Sequence, residues 1–215
     1  MSWLPRLLRF FFHHFYHGLA WTYDLVAAIV SLGRWNQWVR SILPYIEGPR
    51  VLELGHGPGH LQLALHKQGI ASTGLDESRQ MGRQASRRLR RQGQIPRLVR
   101  AWSQALPFVG NFDTVVATFP SEYIVDPGTL AEAWRVLRPG GRLVVLPGAW
   151  IGGKSLLEAF ARWLFKVTGE AEEIGEPLWN RFKIPFERAG FQVEVRVEET
   201  RGGTLLFLLA RKVVK

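Results

Sequence analysis

Val51-Leu52-Glu53-Leu54-Gly55-His56-Gly57-Pro58-Gly59-His60-Leu61 is the stretch on which the reading of this chain turns. Its apolar run reads as a buried strand that carries an acid and closes on a tight glycine turn. Leu61, Leu63, Ala64 and Leu65 then start a helix. A doubly wound α/β domain builds a nucleotide-shaped crevice in this way, at the carboxyl end of its first strand. A dinucleotide fingerprint wants glycines at the first, third and sixth positions, and the sixth counted from Gly55 is His60. Here glycines stand at alternate positions, with Glu53 two residues ahead of the first. A carboxylate placed there repels a pyrophosphate and suits a ligand that carries an ammonium and a sulfonium group.

A second acid extends the pattern. Ile70-Ala71-Ser72-Thr73-Gly74-Leu75-Asp76 reads as the next strand, closing on Asp76. An acid about 20 residues beyond the glycine turn is placed to accept hydrogen bonds from ribose hydroxyls. Asp76 would also serve as an N-cap for the helix that follows, and the glycines as a plain loop. Strand, acid, spaced glycines, helix, strand and second acid in this order point to a nucleotide-like ligand, with S-adenosylmethionine as the candidate cofactor.

With these residues the chain resembles the class I S-adenosylmethionine-dependent methyltransferases, from about Tyr23 to the C-terminus. Asp76-Glu77-Ser78-Arg79-Gln80-Met81 is similar to the family's segment after the second strand, where an apolar residue such as Met81 lies against the adenine. Leu106-Pro107-Phe108, Phe112 to Thr118, Trp134 to Leu143 and Phe186 to Phe191 are similar to its later motifs. Four residues before Leu106 the family usually has an acid for the adenine amino group, and Trp102 stands there instead. Ser103 or a backbone carbonyl is left to make that contact, with Trp102 stacking on the ring or merely packing. The resemblance implies an α/β, doubly wound, Rossmann-like fold. Its mostly parallel seven-stranded sheet ends in a C-terminal antiparallel hairpin, and a helical lid precedes it. The implied cofactor contacts are Tyr23, Glu53, Gly55, His56, Gly57, Gly59, Asp76, Glu77, Met81, Trp102, Ser103, Thr118 and Phe119, with no metal.

Length and composition set outer limits. The 215 residues suit one methyltransferase domain, 46–215, preceded by an N-terminal segment, 1–45. No cysteine is present, which excludes disulfides, thiolate zinc sites and cysteine nucleophiles. The N-terminus lacks the order of a signal peptide, and no stretch reaches the roughly 18 apolar residues of a membrane span. A cytoplasmic protein is expected, with peripheral contact at the inner membrane face. The formal charge is +10, and 22 of the 28 basic residues are arginine, with Arg79, Arg83, Arg87, Arg88, Arg90 and Arg91 in one segment. Such a run reads as a solvated helix face, an anionic membrane contact or a nucleic-acid contact. The length leaves no room for an added recognition domain, so nucleic acid is not the expected partner.

Trp3 to Trp21 interleaves Arg6, Arg9, His13 and His14 with large aromatic and aliphatic side chains, which suits a helix at a membrane interface or a lid over the crevice. His13 and His17 share a helix face at zinc-ligand spacing, though an interfacial helix accounts for them better. Tyr23-Asp24-Leu25, Ser31-Leu32-Gly33 and Trp38 resemble the N-terminal signature of ubiquinone/menaquinone C-methyltransferases, in which Tyr23 would approach the methionine end. Strands are expected near 50–54, 71–75, 97–101, 112–118 and 142–147, then 191–197 and 203–211 as a hairpin. Segment 149–184 is an insertion of the kind that shapes an acceptor pocket.

Methyl transfer from a sulfonium requires alignment, exclusion of water and, for a weakly acidic acceptor, a base. Glu122 and Tyr123, after the fourth strand, are the candidate catalytic residues, with His56 and His60 as further bases or orienters. The expected acceptor is lipophilic, a quinone-ring precursor or a phospholipid headgroup. The alternatives are a small molecule of secondary metabolism, or cofactor binding without transfer. The oligomeric state is open.

Overall fold

The computed structural model describes residues 33–150, 179–200 and 203–213. The expectations for Tyr23, the aromatic N-terminal helix, His13, His17 and most of segment 149–184 lie outside the described residues. The strands are β1 (Val51–Leu54), β2 (Ser72–Leu75), β3 (Leu98–Val99), β4 (Phe112–Thr118), β5 (Leu137–Trp150), β6 (Gln192–Thr200) and β7 (Gly203–Arg211). They form one sheet in the order β3-β2-β1-β4-β5-β7-β6. β1 to β5 run parallel, and β7 lies antiparallel between β5 and β6. The helices are α1 (Trp35–Arg40), α2 (His60–Lys67), α3 (Arg79–Arg91), α4 (Pro127–Val136) and α5 (Trp179–Arg188).

The central strands are buried on both sides, whereas the edge strand β6 alternates exposed and half-buried residues, and the period of two sorts each side chain to one layer. Leu52, Leu54, Val115, Ala117, Leu143 and Val145 join a cluster with Leu130 and Ala133 of α4 and Phe186 of α5. Val51, Val116, Val144 and Leu146 face the other way, toward Trp38 and Val39 of α1 and Leu61, Ala64 and Leu65 of α2. β5 starts at Leu137, five residues earlier than expected. Phe112 pairs with Leu137 and Thr114 with Arg142, so Arg138 to Gly141 bulge out of a ladder that resumes beyond them. β3 shrinks to Leu98–Val99, and β6 runs on to Thr200 because β7 pairs with it along its whole length.

Asp113 fastens the lower edge of this sheet. One of its oxygens accepts from the Arg50 backbone N–H at 3.0 Å and the other from Arg138 Nε at 2.5 Å. Burial pushes the carboxyl up, but Arg138 and the Arg50 backbone and guanidinium outweigh it and hold Asp113 below its usual range. Asp113→Ala should therefore destabilise the domain by about 1.5–3 kcal/mol, the scale of a hydrogen bond to a charged group. Urea unfolding checks this: the midpoint should fall while the slope stays unchanged.

Candidate active site

β1 and β2 end level, as Glu53 pairs with Gly74 and Leu54 with Leu75. The chain leaving β1 turns back over them, with the Gly55 and His56 N–H groups both donating to the Leu75 carbonyl, at 2.8 and 3.1 Å. Asp76 follows β2 and braces the turn: one oxygen accepts from Gly57 N–H at 2.9 Å and the other from Ser78 N–H at 2.8 Å. Ser78, not Asp76, is the N-cap of α3, its hydroxyl accepting from Met81 N–H. Asp76 stands directly after β2, beside the glycine turn.

The three glycines of the turn do different work. Gly59 has φ +84, and a Cβ on it would lie 2.8 Å from the Ala85 Cβ, so the close approach of turn to α3 depends on it. The glycine missing at His60 is thus made good one residue earlier, against a helix rather than a strand. Gly57 has φ +50, and a Cβ there would meet nothing within 4 Å, so its exposed side faces open space. A Cβ on Gly55 would run into the Tyr123 hydroxyl.

Strand alternation sends Glu53 to the α2 side, where it is 1% exposed. Gln62 of α2 donates to its carboxyl at 2.7 Å, and the Ser72 hydroxyl donates to the other end of the Gln62 amide at 2.9 Å. Burial pushes the Glu53 carboxyl up to about 8, against the lowering effect of Gln62, with Asp76 adding a smaller upward push. Sequence reading missed Gln62 and Ser72. The signal was a polar residue inside the apolar stripe of α2, next to Leu61.

The other expected residues spread around this centre. His56, one of the further candidate bases or orienters, is 4% exposed, with Nδ1 2.7 Å from the Gly57 carbonyl oxygen. Burial holds its imidazole below the usual range. Tyr123 is half-buried in a short 3-10 turn, Glu122–Val125, and its hydroxyl donates to the Leu54 carbonyl at 3.0 Å. Its neighbour Glu122 is exposed, so the two candidate catalytic groups part company. Met81 is 4% exposed, leaving little of it to face an adenine, whereas Trp102 stands 66% exposed. The Ser103 hydroxyl turns inward to Thr129, at 2.9 Å. Glu77 is exposed, and its carbonyl accepts from Arg100 Nε at 2.8 Å. Thr118 closes β4, and Phe119 beyond it takes the left-handed conformation at φ 50, unusual for a bulky side chain. Its ring lies against Trp35, centroids 4.3 Å apart, with Trp38 at 6.3 Å.

The sheet order, the alternate glycines and the two acids at the ends of β1 and β2 define a class I S-adenosylmethionine-dependent methyltransferase. The comparisons agree, and the chain belongs to that family. Residues 51–141 match the model of the methyltransferase domain. The chain is 31% identical to the ubiquinone/menaquinone biosynthesis C-methyltransferase UbiE of Erwinia tasmaniensis, over 74% of its own length and 67% of that protein. It is 36% identical to the demethylmenaquinone methyltransferase of Mycolicibacterium paratuberculosis, over 60% of its length and 56% of that protein. Among solved structures, an S-adenosylmethionine-dependent methyltransferase of Methanosarcina mazei shares the fold, with TM-score 0.61 and 22% identity, over 81% of this chain and 98% of that one. The cofactor of the family is S-adenosylmethionine, and the residues present fit it: the glycine turn has an open side at Gly57, and carboxyls stand at the ends of both strands.

The buried carboxyl carries a pH signature. From about 4.5, the ordinary value, to about 8, the folded chain holds a proton that the unfolded chain has released. Stability conferred by Glu53 is therefore full below that window and is lost as pH rises through it. Glu53→Gln keeps an acceptor for Gln62 and removes the titration. In thermal melts of the cofactor-free protein from pH 5 to 8.5, the variant should lose less stability than the wild type. Identical pH profiles would show that Glu53 does not titrate in this window.

Proposed function

We propose that this chain methylates a ring carbon of a lipophilic quinone precursor, working at the carboxyl ends of β1, β2 and β4. The observation that carries the reading is the identity to enzymes named for ubiquinone and menaquinone biosynthesis. The cofactor supplies an activated methyl group on a sulfonium. Glu53 is the counter-charge for its ammonium end, and arrival of that cation favours ionisation of a carboxyl that burial otherwise keeps protonated. Asp76 receives the ribose hydroxyls, the turn at Gly55, Gly57 and Gly59 lets the ligand approach the backbone, and Trp102 shields the adenine, with Glu77 and Ser103 beside it through their backbones. His56, buried with Nδ1 on the Gly57 carbonyl, is assigned to shaping the turn.

Phe119 and Trp35 form an aromatic wall past the end of β4 that suits a flat ring, with Thr118 at its foot. Tyr123 acts as a positioning residue through the Leu54 carbonyl, and Glu122 remains the candidate base on the acceptor side. No helix among the described residues is long and apolar enough to cross a membrane.

The decisive test incubates the full chain with S-adenosylmethionine and reduced demethylmenaquinone, with phosphatidylethanolamine vesicles as the competing acceptor. Methylated quinol by mass spectrometry is expected. Methylation of the phospholipid alone, or none with a bound cofactor, would overturn the acceptor. Two variants test the cofactor contacts by calorimetry. Asp76→Ala should weaken binding by about 1–3 kcal/mol, the scale of lost charge-assisted hydrogen bonds. Gly57→Ala adds a methyl that meets no protein atom but strains the turn at φ +50 by about 1–2 kcal/mol, so it should melt lower and bind at least about tenfold more weakly. Unchanged affinity in both would move the ligand elsewhere.

A further inference from the structure

α3 presents two contrasting sets of residues. Met81, Ala85 and Leu89 recur at i, i+4 and i+8 and are buried. Arg79, Arg83, Arg87 and Arg90 recur along another side, where they line a cleft of about 410 Å3 between α3 and the Leu98–Arg100 end of β3. That volume lies within the roughly 300–1,000 Å3 of small-ligand sites. Gly82 and Ser86 stand among the arginines on the same wall. A Cβ on Gly82 would meet nothing within 4 Å, so the middle of the wall is kept low. Arg100 contributes a fifth guanidinium from the facing strand, fixed by its Nε bond to the Glu77 carbonyl at 2.8 Å.

Like charges four residues apart destabilise a helix, and Arg79, Arg83 and Arg87 are spaced so without an acidic partner among the described residues. Among the described residues Asp76 is the one carboxylate that lines the cleft, and both its oxygens are engaged by Gly57 and Ser78 N–H groups. Among the described residues the cleft is therefore a concave cluster of cations with no carboxylate paired to them. Guanidinium groups pair bidentately with phosphate, and five of them exceed what a single phosphate neutralises. A bilayer or a duplex presents an extended surface, whereas a concave pocket at a helix–strand junction favours a compact anion. The cofactor is not that anion, since it carries a sulfonium and no phosphate; His56 and Asp76 border the cleft, so it adjoins the cofactor turn, but the turn glycines and Trp102 do not line it.

We propose that the α3–β3 cleft binds a compact polyphosphate group, a diphosphate or triphosphate, through Arg79, Arg83, Arg87, Arg90 and Arg100. The group comes either on a soluble metabolite or on a phosphorylated lipid head. The site is independent of the acceptor assigned above.

The test is calorimetry of the full chain with pyrophosphate and tripolyphosphate at physiological salt. Binding is expected, weakened roughly tenfold by Arg100→Gln and by the Arg83→Gln/Arg87→Gln pair, the scale of lost charge-assisted contacts. Arg91→Gln removes a charge from the same helix outside the cleft and should change affinity less than about twofold, as expected for a screened exposed charge. Melting temperature and far-UV circular dichroism, measured alongside, show that each variant is folded. Vesicles of phosphatidylcholine containing a bisphosphorylated inositol lipid separate the sources. Recruitment that tripolyphosphate competes away assigns the lipid head, and its absence beside tripolyphosphate binding assigns the soluble ligand. No binding of either polyphosphate, or equal weakening by Arg91→Gln and Arg100→Gln, overturns the proposal. So does a short oligonucleotide that binds more tightly than tripolyphosphate and is weakened by the same variants.

Discussion

A carboxyl group inside the protein is the constraint around which the centre of this domain is arranged. β1 is a four-residue strand with layers on both sides, so every one of its side chains must be buried, Glu53 included. An unsatisfied carboxyl in that place would be costly. Gln62 meets it from α2, and Ser72 meets Gln62 from β2, so one hydrogen-bonded chain fixes three elements relative to each other. The position of α2 sets the position of its first turn, and through Gly59 the distance to α3. The geometry of the glycine turn thus follows from the need to satisfy one acid.

A second set of ties works from above. Asp76 holds Gly57, Arg88 donates to the Pro58 carbonyl, and Tyr123 holds the Leu54 carbonyl. The turn is gripped from β2, α3 and the segment after β4, three parts of the chain far apart in sequence. Such a turn is organised before a ligand arrives, which limits the ordering cost of binding.

Much of this was legible in the sequence. The strand–turn–helix unit around Glu53 and the second acid at Asp76 come from local patterns, with period two giving way to a helical repeat. The swap of Gly59 for the glycine missing at His60 was not legible, because it depends on Ala85, 26 positions away. His56 was legible as a member of the glycine turn, but its burial was not, because its ring packs against Gly74 of the next strand. Glu122 and Tyr123 are adjacent in sequence, yet a 3-10 turn sends one outward and the other to β1. The arginines of α3 were legible as a charged run, but the cleft they line exists only once β3 is placed beside them.

The order of the last two strands has a consequence for how the chain is made. β7 occupies the slot between β5 and β6, although it follows both in sequence. During synthesis from the N-terminus, β5 emerges with one bare edge, and β6 emerges next with no neighbour in the sheet to pair with. Closure of this side waits for the final strand, whose Leu205, Leu206, Phe207 and Leu208 are all buried once it inserts. Until then the nascent sheet displays an open, apolar edge, the feature that invites pairing with other chains. The vulnerable interval in the life of this protein is therefore the passage of its last strand through the ribosome, after the methyl-donor half of the domain has been made.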